Sequence, residues 1–135
     1  MTQSPNRLVA VVFGAVYVVV GLLGFVYTSG VDFFATSGGL ILGIFEVNPF
    51  HNIAHLLIGG ALLFAGVKGV APAKATNTTI GAAYLLLGVV GLFLVGSGLN
   101  ILALNAADNV LHFASAILLL GVGLMADKRT QAVPA

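Results

Sequence analysis

Residues 46–66, with the sequence EVNPFHNIAHLLIGGALLFAG, determine how the rest of this chain is interpreted. Asn48 followed by Pro49 predicts a helix start, because the asparagine side chain caps backbone N–H groups and a proline at the first helical position loses no hydrogen bond. The apolar helix that follows begins with three polar side chains, His51, Asn52 and His55. A similar pattern returns at residues 105–123 as NAADNVLHFASAILLLGVG, with Asp108, Asn109 and His112. This recurrence predicts an internal repeat.

The composition predicts a membrane protein. The chain has 135 residues, enough for one domain, and 59% of them are hydrophobic while only 7% are charged. Soluble domains have about 25% charged residues, so this chain cannot cover itself with polar surface and lipid is its expected solvent. A net charge of +1 gives no basis for nucleic acid binding. The absence of cysteine excludes disulfides, thiolate metal sites and iron–sulfur clusters.

Four segments are long and apolar enough to cross a bilayer, whose hydrocarbon core takes about 20 residues of helix. They are Leu8–Tyr27, Pro49–Val67, Thr78–Val95 and Ala106–Met125. The sequence therefore predicts an all-α fold, a four-helix transmembrane bundle that forms a single domain over residues 1–135. Residues 28–47 are too apolar for a free loop, and we expect them to lie in the membrane interface or against the bundle. The tail, residues 130–135, is predicted to be disordered.

The short connection between spans two and three, residues 68–79, contains proline, lysine, asparagine and threonine. It is predicted to be a turn, with Asn77 or a neighbouring threonine capping span three.

Positive charges predict the orientation, because lysine and arginine accumulate on the cytoplasmic side of a membrane. With four spans, all of them fall on one side: Arg7, Lys68, Lys74, Lys128 and Arg129. Three of the four acidic residues fall on the other side: Asp32, Glu46 and Asp108. Both termini are therefore predicted to be cytoplasmic in a multi-pass protein of the plasma membrane.

Spans three and four repeat spans one and two. Tyr84 follows Tyr17 by 67 positions, and His112 follows His55 by 57 positions. Each repeat contains two spans, so both repeats insert in the same direction, which predicts a pseudo-two-fold axis along the membrane normal. The two tyrosines lie in mid-span and are predicted to donate hydrogen bonds between helices.

Glycines follow the same helical stripes as the polar residues. Lipid offers helices no hydrophobic reason to associate, so small residues at an interface allow close approach and dispersion contacts. The glycines predicted to pack helices together are Gly21, Gly24, Gly59, Gly66, Gly88 and Gly91. Since the polar residues share these stripes, we expect them to face the bundle interior.

Two pairs of ionisable residues stand one helical turn apart, His51 with His55 and Asp108 with His112. Three imidazoles and a carboxylate at matching depth suit zinc, copper or iron. We therefore predict a metal site whose ligands are His51, His55, Asp108 and His112. Residues that would orient these ligands from a second layer are Glu46, Asn52 and Asn109.

Other interpretations of the cluster stay open. His55 and His112 alone would be the axial ligands of haem b held between two helices. Alternatively, Asp108 forms a capping box and the histidines and asparagines form a structural hydrogen-bond network. The corresponding functions are a ligand-holding protein and a non-catalytic structural or accessory subunit, in a homo-oligomer or a larger membrane complex. Ser97 and Ser115 have no evident histidine–acid partnership, which argues against a hydrolase.

The segment FEVNPFHNIAHLLIGGALL, residues 45–63, resembles a family of small uncharacterised bacterial membrane proteins that is classed as a domain of unknown function. The resemblance covers nearly the whole chain, from about Arg7 to Asp127. It implies a four-helix layout and a location in the bacterial inner membrane. It implies no established activity.

Overall fold

A computed structural model describes residues 3–128. Its elements in chain order are α1 (Pro5–Tyr27), β1 (Gly39–Ile41), β2 (Phe45–Val47), α2 (Pro49–Lys68), α3 (Val70–Leu94) and α4 (Ala106–Met125). The four helices are long and apolar enough to cross a membrane, which confirms the predicted all-α four-helix bundle. The tail that the sequence predicts to be disordered lies outside the described residues.

The surface of the helices is apolar where they face outward. Phe93 on α3 is 78% exposed and Ile117 on α4 is 72% exposed, and large hydrophobic side chains are exposed on all four helices. Exposed apolar surface on this scale is unfavourable in water and neutral in hydrocarbon. The chain is therefore a multi-pass membrane protein whose outward faces contact lipid.

Each repeat is a pair of helices held at close range by glycine. A methyl group at Gly14 of α1 would lie 2.6 Å from the backbone nitrogen of Leu63 on α2. A methyl group at Gly81 of α3 would lie 2.7 Å from the backbone nitrogen of Leu120 on α4. Gly81 and Leu120 are the repeat mates of Gly14 and Leu63, so the same contact is built twice. This matching of contacts confirms the tandem repeat.

The two repeats also exchange hydrogen bonds at the end of the bundle where α2 and α4 begin, which we call the outer end. Asn48, the N-cap of α2, donates from Nδ2 to the carbonyl oxygen of Ile101 at 2.7 Å. Asn105, the N-cap of α4, donates from Nδ2 to the carbonyl oxygen of Ile44 at 2.8 Å. The two hydrogen bonds correspond through the repeat, because Asn105 follows Asn48 by 57 positions and Ile101 follows Ile44 by 57 positions. Each helix start therefore holds the loop of the other repeat.

The first outer connection, residues 28–48 between α1 and α2, contains an antiparallel hairpin in which Gly39 pairs with Val47. Its turn uses Leu42 and Gly43 with φ of 53° and 72°, a left-handed pair that suits a tight hairpin turn. Ile41 and Val47 are buried, so the hairpin packs on the helix ends. Its placement relative to the membrane interface stays a prediction.

The connection between α2 and α3 differs from the prediction of a turn over residues 68–79. Only Gly69 separates the helices, and its φ of 153° is a conformation that favours glycine. Pro72 lies in the first turn of α3, where its missing N–H costs no helical hydrogen bond. Asn77 does not cap the helix. It is buried in α3 and donates from Nδ2 to the carbonyl oxygen of Asn6 at 2.9 Å.

At the opposite, inner end, Asp127 ties the end of α4 to the start of α1. Its Oδ2 accepts hydrogen bonds from Ser4 Oγ at 2.9 Å, from the Asn6 backbone nitrogen at 3.0 Å and from Asn6 Nδ2 at 2.9 Å. Desolvation raises the pKa of the Asp127 carboxyl, but the hydrogen bonds from Asn6 and Ser4 and the charge of Lys74 outweigh it. The net result is a pKa below the ordinary value of 3.8.

This lowered pKa predicts a pH-dependent contribution to stability. A carboxyl with a lowered folded-state pKa stabilises the fold above its unfolded-state pKa, and the stabilisation is lost as pH falls through the folded-state pKa. We expect Asp127→Asn to be less stable than the wild type near neutral pH, with the difference shrinking below about pH 4. Thermal unfolding in detergent at stepped pH measures this. Asp32→Asn, in an exposed loop position, is the control. A difference independent of pH would contradict the assignment.

Candidate metal centre

Three imidazole rings meet between the helices near the outer end. One candidate ligand nitrogen of each of His51, His55 and His112 lies within 4.8 Å of the other two. All three side chains are buried. The His51 and His55 ring centroids are 4.4 Å apart, and those of His51 and His112 are 6.0 Å apart. The chain contains 3 histidines, so all of them belong to this group.

The starts of α2 and α4 position these rings. Asn48 Oδ1 accepts from the backbone N–H of His51 at 2.8 Å, which places His51 in the first turn of α2. His55 follows one turn later on the same face. Asn105 caps α4 in the same way, and His112 then occupies the position that corresponds to His55. Local capping therefore sets the depth of each ring in the bundle.

Tyr17 and Tyr84 complete a closed cycle of five aromatic side chains, which we call the five-ring cluster. Tyr17 of α1 lies against His55 with ring centroids 5.3 Å apart, and Tyr84 of α3 lies against His112 at 5.2 Å. The two tyrosines stack on each other at 5.5 Å with an interplanar angle of 20°. The Tyr17 hydroxyl is 2.6 Å from Ser115 Oγ on α4, a hydrogen bond between helices in which either oxygen can be the donor. The prediction fails for Tyr84, whose buried hydroxyl has no hydrogen-bond partner among the described residues. All four helices contribute to the cluster.

Several buried nitrogens of the cluster have no hydrogen-bond partner in the described part of the chain. They are His51 Nδ1, both ring nitrogens of His55 and His112 Nδ1. A buried polar atom without a partner costs about 1–3 kcal/mol, so native structures rarely gather several in one place. A purely structural hydrogen-bond network would pair these atoms with one another. Three neighbouring imidazoles that each keep an unpartnered nitrogen are suited to be donors to a ligand.

Asp108, predicted as a fourth ligand, does not join the three imidazoles. Its Oδ2 accepts from the backbone N–H of Asn105 at 2.9 Å, and Asn105 Oδ1 accepts from the backbone N–H of Asp108 at 2.9 Å. This reciprocal pair is the capping box that the sequence offered as the alternative role. The structure thus brings together three of the four predicted ligands.

The residues predicted to orient the ligands make their side-chain contacts elsewhere. Glu46 Oε1 accepts from the backbone N–H of Gly38 at 2.8 Å, and Asn52 Nδ2 donates to Thr28 Oγ1 at 3.1 Å. Asn109 packs its amide against Gly91. The backbone of Glu46 belongs to β2, which leads through Asn48 into the first turn of α2 and His51.

Sequence reasoning did not include Tyr17 and Tyr84 in the site, although both were matched in the repeat. The signal was available, since each tyrosine lies on the same stripe as the packing glycines of its helix. Their positions also bear on haem. A macrocycle between His55 and His112 would extend sideways into the space that His51 and the stacked tyrosines occupy. The geometry therefore suits a single ion better than a haem.

Comparison with known proteins gives one match. The model of a family described as a domain of unknown function (DUF4383) covers residues 7–125, which include the whole five-ring cluster. This confirms the resemblance noted from the sequence. No curated protein and no solved structure matches the chain.

Proposed function

The chain belongs to the DUF4383 family, and we propose that it is a membrane protein that holds a transition-metal ion at His51, His55 and His112. One observation carries the proposal: one candidate ligand nitrogen from each of three buried imidazoles, on two different helices, lies within 4.8 Å of the others, and each ring has at least one nitrogen without a hydrogen-bond partner among the described residues. The role is ligand binding, and the proposal assigns no catalytic step. The competing role is a structural subunit without a ligand. It would leave buried imidazole nitrogens without hydrogen-bond partners, which lowers the free energy of unfolding.

Three imidazole ligands limit which metal ions the site can bind. Neutral imidazole suits zinc, copper, iron and nickel, whereas magnesium and calcium prefer oxygen ligands. Three protein ligands without a fourth leave a coordination position open, as in zinc sites that exchange or activate a small ligand. Tyr17 packs on His55 and Tyr84 packs on His112, so aromatic rings border two of the three ligands.

The same proposal includes an orientation in the plasma membrane. Arg7, Lys68 and Lys74 lie at the inner end, and a cytoplasmic inner end satisfies the preference of lysine and arginine for that side. Both termini are then cytoplasmic, and the three histidines lie closer to the external face. A bacterial inner membrane, as the resemblance implies, is the expected location.

Metal content tests the proposal. The protein should be purified with an affinity tag free of histidine, so that the 3 histidines of the chain are the only imidazoles present. We expect about one transition-metal ion per chain in the wild type and at least about a tenfold loss in the His55→Ala/His112→Ala double variant. Ser115→Ala is the matched control, because Ser115 is buried one turn below His112 and its hydroxyl pairs with Tyr17 and not with an imidazole.

The outcomes separate the alternatives. Wild-type protein that stays folded and binds no zinc, copper or iron after reconstitution would overturn the proposal in favour of a structural role. Iron accompanied by an intense haem absorption band would replace the single ion with haem. X-ray absorption showing imidazole scattering around the metal, absent in the double variant, would support the three-histidine site.

A further inference from the structure

A polar cavity opens at the outer end of the bundle. Its volume is about 270 Å³, and it lies between the first outer connection and the loop before α4. Polar side chains that line it are Thr36, Ser37, Glu46, Ser97, Asn100 and Asn105. The cavity of about 280 Å³ between α1 and α4 has an apolar lining by contrast, with only the hydroxyls of Tyr17 and Ser115 nearby. The outer cavity is therefore suited to a hydrated, polar solute.

Glu46 connects this cavity to the histidines. Its side chain lines the cavity, and its strand β2 leads through Asn48 directly into the first turn of α2, which carries His51. Asn105, the N-cap of α4, lines the same cavity. His51 Nδ1 is buried and has no hydrogen-bond partner among the described residues. The cavity therefore places a carboxylate at the outer end of the bundle, beside the helix start that carries this imidazole.

The charge of the outer end favours cations. The sequence contains no lysine or arginine in residues 8–67 or 75–127, which include both outer connections, and three carboxylates belong to those stretches near the outer end: Asp32, Glu46 and Asp108. A cleft lined by charge of one sign raises the local concentration of the opposite ion and its association rate by about 10–10³-fold. Carboxylate and hydroxyl oxygens bind a transition metal more weakly than imidazole, so they can pass it on.

We propose that this cavity is the entry vestibule for the metal ion, and that Glu46 captures a divalent cation from the external side and passes it to His51. The inference rests on the proposed function of the three-histidine site. It adds a transient cation-binding position, a direction of entry and a role for a side chain that does not itself join the final ligand set. No covalent or redox step is involved.

The rate of metal uptake tests this role. Cobalt(II) is the probe, because its visible absorption reports nitrogen coordination directly when it is mixed with metal-free protein in detergent. Glu46→Gln removes the charge but keeps an oxygen that accepts from the Gly38 N–H. We expect uptake at low salt to slow by about tenfold, the lower end of such electrostatic effects, while the final cobalt content stays unchanged. Added salt should slow the wild type more than the variant.

Two further variants sharpen the result. Glu46→Asp keeps the charge and should take up cobalt close to the wild-type rate. Asp32→Asn removes an exposed outer carboxylate that does not line the cavity, so it should slow uptake clearly less than Glu46→Gln does. Wild-type uptake kinetics in Glu46→Gln would overturn the vestibule and leave the histidine site intact. A wild type that binds no cobalt at equilibrium would instead overturn the proposed function itself.

Discussion

Replacing Gly59 with alanine is expected to destabilise the protein by about 1–3 kcal/mol, while the same change at the adjacent Gly60 should be neutral or slightly stabilising. A methyl group at Gly59 would lie 2.7 Å from the backbone nitrogen of Val18 and 2.8 Å from the carbonyl oxygen of Gly14. Both atoms belong to the backbone of α1, so no side-chain rotation can relieve the overlap. The α1–α2 pair would have to separate.

Gly60 provides a matched control because it differs from Gly59 only in the face it occupies. It is exposed, and a methyl group there would meet nothing within 4 Å. Alanine in a helix interior is favoured over glycine by up to about 1 kcal/mol, so Gly60→Ala can gain stability. Reversible unfolding in mixed detergent micelles measures both variants against the wild type.

The tandem repeat supplies a second matched pair for this prediction. Gly81 faces the Leu120 backbone of α4, whereas a methyl group at Gly121 would meet nothing within 4 Å. Gly81→Ala should therefore lose stability as Gly59→Ala does, and Gly121→Ala should not. Equal effects at the close-packed glycines and at Gly60 and Gly121, which have open space beside them, would show that helix propensity, and not close backbone approach, governs stability.

Asn48→Ala is expected to lose about 2–4 kcal/mol and to weaken metal binding as well. Asn48 is fully buried, caps His51 through Oδ1, and donates from Nδ2 to the carbonyl oxygens of Ala35 and Ile101 at 2.9 and 2.7 Å. Loss of a cap costs about 0.5–2 kcal/mol, and each of the two lost part-buried hydrogen bonds adds about 0.5–1.5 kcal/mol. The first turn of α2, with His51, would also lose its anchor.

Two substitutions divide this loss into parts. Asn48→Ser keeps a neutral oxygen able to accept from the His51 N–H but lacks the amide that donates to the Ala35 and Ile101 carbonyls, so we expect an intermediate loss. Asn105→Ala removes the corresponding cap of α4, yet its bond to the Ile44 carbonyl is exposed and should contribute less. Unfolding of each variant measures its stability, and cobalt titration of the same preparation measures its metal affinity. Equal losses of stability in Asn48→Ala and Asn105→Ala would contradict an extra contribution from the Asn48 hydrogen bonds to the Ala35 and Ile101 carbonyls.

Features with a local physical cause could be predicted from the sequence. A span of about 20 apolar residues requires a membrane helix whatever surrounds it, because unpaired backbone groups are costly in hydrocarbon. The caps Asn48 and Asn105 were also found, since a cap acts within one helical turn. The tandem repeat could be recognised in the sequence because both halves keep the same capping asparagines and the same helical stripe of glycine and polar residues.

The start of α3 could not be predicted in this way. Asn77 and the threonines beside it resemble a turn, because polar residues compete for backbone hydrogen bonds outside helices. In the folded chain Asn77 has a partner on α1 instead, where it donates to the carbonyl oxygen of Asn6. A tertiary contact between residues 71 positions apart overrides the local preference.

The candidate site shows the same division. The sequence by itself determined the four helices, the repeat and the shared depth of His55 and His112, because helical periodicity and capping are local properties. Only the tertiary structure decided that Tyr17 and Tyr84 close the five-ring cluster and that Asp108 stays outside it. Those outcomes depend on the distances between helices, which the sequence does not show. The Asp108 carboxylate accepts the nearby backbone N–H of Asn105, three residues earlier, and is therefore not available to the imidazoles.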